Sequence, residues 1–88
     1  MKKISARLQQ KMADASAGVD LQLIVTLFGT SDWAKSLDQL KTAGLRVESS
    51  EEAVRAVFGK ASATAVRRMA ELPEVVLVEL DGKVEALD

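Results

Sequence analysis

Ile4, Leu8, Met12 and Ala15 recur at helical spacing through residues 2–16, with lysines, Arg7 and glutamines between them. That pattern predicts an amphipathic N-terminal helix, ended by Gly18 and Asp20. Leu21–Phe28 is a short β-rich run closed by Gly29, and its length and flanks predict a strand. Thr30, Ser31 and Asp32 then offer an N-cap and a first-turn negative charge. Trp33, Leu37 and Leu40 follow at i, i+4 and i+7, and Gly44 stands where a left-handed C-terminal glycine belongs, so a helix is expected over 31–43. Leu45–Glu48 alternates and suits an edge strand. Ser49–Gly59 reads two ways. Ala53–Lys60 makes a strand entered by a turn at Ser49–Glu52, or Ser49 and Glu52 form a capping box that opens a helix over 51–58. Ser62 caps a further helix with Val66, Met69 and Ala70 inside and Arg67 and Arg68 in water, and Pro73 lies just beyond its end. Val75–Leu80 is a strong strand signal, Asp81-Gly82 a turn dipeptide, and Val84–Leu87 a last extended piece.

After the first helix the order is β-α-β-(β)-α-β. Two right-handed β-α-β units of this kind predict an α+β fold, the ferredoxin-like β-α-β-β-α-β antiparallel sheet with both helices on one face, plus the N-terminal helix. This global pattern favours the strand reading of 53–60. One domain covers residues 1–88, with the N-terminal helix to 18, a core over 21–80 and a tail over 82–88. Alternation divides each strand between the core and an open sheet face. In the first strand Leu21, Leu23, Val25 and Leu27 are expected inside, with Gln22, Ile24, Thr26 and Phe28 outside. Arg55 marks Ala53 and Val57 as open and leaves Val54, Ala56 and Phe58 inside. Glu79 marks Val75 and Leu77 as open and leaves Val76, Val78 and Leu80 inside. The open face is thus expected to carry Ile24, Val57, Val75 and Leu77 beside Arg55, Glu79 and Asp81. An exposed apolar patch of that kind indicates a partner, unless the N-terminal helix covers it.

Composition narrows the function. The chain has 88 residues, 48% of them apolar, with 12 basic and 13 acidic side chains and a net charge of -1. That balance gives no reason to expect nucleic acid or an acidic membrane as partner. Neither cysteine nor histidine occurs. Disulfide and thiolate chemistry are therefore excluded, and the commonest general base and metal ligand are missing. Ser62 near Lys60 is more simply a helix cap beside a surface lysine than a nucleophilic dyad, and Trp33 is most simply core. The reading is a protein without enzymatic activity, cofactor or metal. The N-terminal Met-Lys-Lys is not followed by an unbroken apolar stretch, and no run is long enough to span a bilayer. A cytoplasmic location is expected if the chain is complete, and none is assigned if it is excised from a secreted precursor.

The stretch Leu72-Pro73-Glu74-Val75-Val76-Leu77-Val78-Glu79-Leu80-Asp81 resembles the D-P-x-V-x-x-V-E-x-D ending of the propeptide inhibitors of subtilisin-like serine proteases. Ile4-Ser5-x-x-Leu8 followed by Val19-x-Leu21-Gln22-Leu23-Ile24-Val25-Thr26-Leu27 is similar to the opening of many such prodomains, and Ser62–Met69 fits their last helix. The likeness is weak over residues 30–52. It implies a domain, monomeric when free, whose open sheet face packs on two helices of the protease. Glu79 and Asp81 match acidic positions that cap those helices, and the tail enters the active site like a substrate. That tail is Val84, Glu85, Ala86, Leu87 and Asp88, preceded by Lys83, with either Leu87 or Asp88 at the specificity pocket. The same surface serves inhibition or chaperoned folding of the enzyme. Two alternatives come from the residues themselves. Asp81-Gly82 closing a tight hairpin folds Val84–Leu87 back on Val76–Leu80. A ligand-sensing or homodimerising ferredoxin-like module pairs through the open sheet, with Glu79 meeting Arg55 across a two-fold axis.

Overall fold

The computed structural model describes residues 3–14, 19–30 and 32–81. The elements run α1 (Ala6–Asp14), β1 (Leu21–Leu27), α2 (Trp33–Ala43), β2 (Arg46–Glu51), β3 (Ala56–Ala61), α3 (Ala63–Ala70) and β4 (Val75–Leu80), with a 3-10 turn at Glu52–Val54. The fold is α+β: a four-stranded sheet in the order β2-β3-β1-β4, antiparallel at every pairing, and three α-helices. Local chemistry sets the helix ends. Asp32 caps α2, its Oδ1 accepting the Lys35 N–H at 3.1 Å, and Ser62 caps α3, its Oγ accepting from Ala65 at 3.3 Å. Gly44 ends α2 in the left-handed region, and the Leu45 N–H reaches back to the Leu40 carbonyl at 3.0 Å. The same glycine permits close packing, since a Cβ there would stand 2.8 Å from the Ala65 Cβ of α3.

One core joins all three helices to one face of the sheet. Leu8 and Met12 of α1, Leu40 of α2, and Val66 and Met69 of α3 pack with Leu21, Leu23, Val25, Leu27, Val57, Ala61, Val75 and Val78. Trp33 and Leu37 pack against its margin. α1 therefore lies on the helix side and leaves the opposite sheet face open. Its entry is fixed by backbone pairing, for Lys3 and Ser5 both bond Val78 and form a parallel bridge centred on Ile4.

Alternation holds along β1 and fails in parts of β3 and β4. Val57 and Val75, expected on the open face, are fully buried in the core. Ala56 and Phe58, expected inside, pair opposite Thr26 and Ile24 on the open face. Val54, also expected inside, is 66% exposed in the 3-10 turn. The strand begins at Ala56, and Arg55, the residue that set the parity, is not in it: its φ of 54° makes it the left-handed end of the turn. In β4 the register shifts between Thr26 and Leu27, so that Leu77 pairs Thr26 while Val75 pairs Leu27. That bulge leaves Val76 as the extra residue, 38% exposed rather than buried, and turns Val75 inward. Of the alternative helix over 51–58 only the single 3-10 turn exists, and Ser49–Glu51 extends the edge strand instead.

Candidate protein-binding face

The strand registers assemble the open face in three rows. The central row is Ser49, Phe58, Ile24 and Glu79, running from β2 to β4. Aromatic and β-branched side chains meeting across antiparallel strands, as Phe58 and Ile24 do, are a favourable pair. One row contains Glu51, Ala56, Thr26 and Leu77. The other contains Arg46, Lys60 and Gln22, and Asp81 completes it because its N–H donates to the Gln22 carbonyl at 3.0 Å, in step with β4. The face therefore has an apolar centre of Ile24, Phe58 and Leu77. The carboxylates of Glu79 and Asp81 line its β4 side, and Arg46, Lys60 and, at the other end of β2, Glu51 stand on its β2 side.

Polar contacts organise the Gln22 end. Glu48, the extra residue of a bulge in β2, accepts from the Gln22 amide at 2.6 Å and lies 3.9 Å from the Lys60 ammonium. Arg46 forms an ion pair with Asp20. Toward the opposite end of the sheet Phe28, 50% exposed, Val54 and Val76 are exposed apolar side chains, and Glu51 and Glu52 are exposed acids. Arg55 clamps this end. Its Nε and one terminal nitrogen donate to the Phe28 carbonyl at 3.2 and 3.1 Å, its own carbonyl accepts from Leu27 at 2.8 Å, and its guanidinium lies 5.2 Å from the Trp33 ring centre. Arg55 thus joins the strand ends to α2 and is not part of the sheet face.

The residues expected on the face divide accordingly. Ile24, Leu77, Glu79 and Asp81 share it. Val57 and Val75 lie behind it and Arg55 beyond its end. Phe58 was missed because parity was counted from Arg55, whereas Lys60, two residues further on, carries the correct signal. The tail residues Val84, Glu85, Ala86, Leu87 and Asp88, and Gly82 before them, lie outside the described residues, as do Ala15, Gly18 and Ser31. The edge of β4 constrains a hairpin return. Val78 donates to the Lys3 carbonyl at 2.6 Å and accepts the Ser5 N–H at 3.0 Å, so its outward bonding groups are already taken. A strand folding back along Val76–Leu80 has to displace residues 3–5. Ser62 and Lys60 have separate roles, the first as the α3 cap and the second on the open face.

Among the described residues no helix is long and apolar enough to cross a membrane. No protein-family model matches the chain, and searches of curated proteins and of solved structures gave no significant match.

Proposed function

We propose that this chain is a ferredoxin-like protein-binding domain that inhibits a subtilisin-like serine protease. The observation that carries the reading is the open face itself: an apolar centre adjoining two carboxylates at the end of the strand that leads into the tail. The apolar contact is assigned to Ile24, Phe58 and Leu77. Glu79 and Asp81 cap helix N-termini on the protease, where unpaired N–H groups and the positive dipole end favour carboxylates. Val84–Asp88 then lies in the active-site cleft, held by backbone hydrogen bonds as an added strand. Because the folded domain anchors it, the tail is presented at high effective concentration and leaves slowly. The same contacts can template folding of the enzyme.

An inhibition assay against a panel of subtilisin-type proteases with different pocket preferences tests this. Inhibition is expected for at least one, and loss of Val84–Asp88 is expected to abolish it without unfolding the domain. The double change Glu79→Ala with Asp81→Ala is expected to weaken binding by about 2–5 kcal/mol, most of it in the dissociation rate. A panel unaffected by the intact domain ends the inhibitor reading. Full affinity in the double variant ends the capping role alone.

A further inference from the structure

Two of the three rows of the open face are complementary to themselves. A two-fold axis lying in the plane of the interface, parallel to the strands, sets the β4 side of one copy against the β2 side of the other at the same height. The registers then decide what meets what. Asp81 faces Arg46 of the second copy, Gln22 faces Lys60, Glu79 faces Ser49, and Ile24 meets Phe58 at the centre. Asp81 finds a cation, Glu79 a hydroxyl and Ile24 an aromatic ring, while in the third row Glu51 falls opposite Leu77. An axis perpendicular to the strands sets Arg46 against Glu51, but it also sets Glu79 against Glu79 and Asp81 over Leu77. Arg46 already holds Asp20 and Asp81 has an interaction of its own within the chain, but a guanidinium has five N–H donors and a carboxylate about four acceptor sites, so each can take a further partner.

We propose that a second copy of this chain covers the open face, with the two sheets stacked about that strand-parallel axis. Area sets the strength. Four strands about 4.8 Å apart and about 20 Å long offer roughly 400 Å² per copy, or about 800 Å² in total. Stable complexes bury about 1,200–2,000 Å² in total. The pair is therefore weak and transient, and orientation comes from the two symmetric Asp81–Arg46 contacts. The inference stands on the registers and not on the protease reading. If both hold, the two partners exclude one another, because they claim the same surface.

Sedimentation equilibrium from about 10 μM to about 500 μM, concentrations at which a weak pair forms, tests the pairing. The apparent mass of the unmodified chain is expected to climb toward twice the monomer value. Asp81→Lys and Arg46→Asp, each checked for fold by circular dichroism, are each expected to weaken association at least about tenfold by juxtaposing like charges. Combining them restores association to within about threefold, because the pair is reformed with its signs exchanged. Phe58→Asp abolishes it. A monomer throughout the range overturns the proposal, as does a dimer that survives Phe58→Asp. Failure of the charge exchange to restore association overturns the assigned axis. A dimer without protease inhibition removes the reading of the previous subsection and leaves this one standing, and the converse result does the opposite.

Discussion

Arg55 occupies backbone space that costs an L-residue about 1–2 kcal/mol. The structure holds it there through its guanidinium, which bonds the Phe28 carbonyl and lies over Trp33. Arg55→Ala removes those contacts and keeps the strain, so a loss of about 2–3 kcal/mol is expected in urea unfolding. Arg55→Gly loses the same contacts and relieves the strain, and it is expected to be about 1 kcal/mol more stable than the alanine variant. Equal stability of the two shows that the turn relaxes without cost. Neighbouring positions in β3 separate the two sheet faces just as sharply. Val57→Ala empties a fully buried site and is expected to cost about 2–3 kcal/mol. Phe58→Ser, half-buried on the open face, is expected to cost about 1 kcal/mol or less. Paired denaturation curves read the difference, and a reversed order places the sheet the other way round.

At the level of elements, β2 comes unusually close to β3. Gly59 is buried opposite Val47, and a Cβ there would fall 2.3 Å from the Arg46 carbonyl oxygen. A backbone oxygen cannot swing aside as a side chain can. Gly59→Ala is therefore expected to cost about 3 kcal/mol or to free β2, measured as faster amide exchange over Arg46–Glu51 with β1–β4 pairing retained. These cases also show what the sequence carried. The caps Ser62 and Gly44 were legible because capping is local chemistry, the α2 cap was narrowed to Thr30, Ser31 or Asp32, and the bounds of β4 were legible because Pro73 and the β-branched run frame it. The parity of β3 and the first residue of β4 were not. One hung on a left-handed arginine that mimics a strand residue, and the other on a bulge at Val76 that shows only in the pairing of β4 with β1. Half of the candidate face followed from β1 and Glu79, and the rest required the registers.

At the level of the whole molecule, α1 supplies Leu8 to the centre of the core, and Leu8→Ala is expected to cost about 2–5 kcal/mol. Residues 3–5 do something separate. They satisfy Val78 on the outer edge of β4, and the Lys3 ammonium bonds the Leu72 carbonyl at 2.8 Å. An uncovered strand edge is a template for pairing with other chains. Removing residues 1–5 is expected to speed hydrogen exchange at the Val78 amide selectively. The amides of Leu77 and Glu79, which by alternation from Asp81 face β1, should keep their protection. Uniform loss instead means that the segment supports the fold as a whole.

That pairing has a further result for how the chain is threaded. Residues 3–5 lie alongside β4, the strand from which Asp81 departs, so the first and last described segments are immediate neighbours. The molecule is therefore suited to circular permutation. Joining residue 88 to residue 1 and opening the exposed turn at Glu52–Val54 leaves every strand pairing intact. The rearranged chain should show the same amide-exchange pattern, and on the inhibitor reading it should lose inhibition, because closing the tail into a loop changes how it can be presented to a protease.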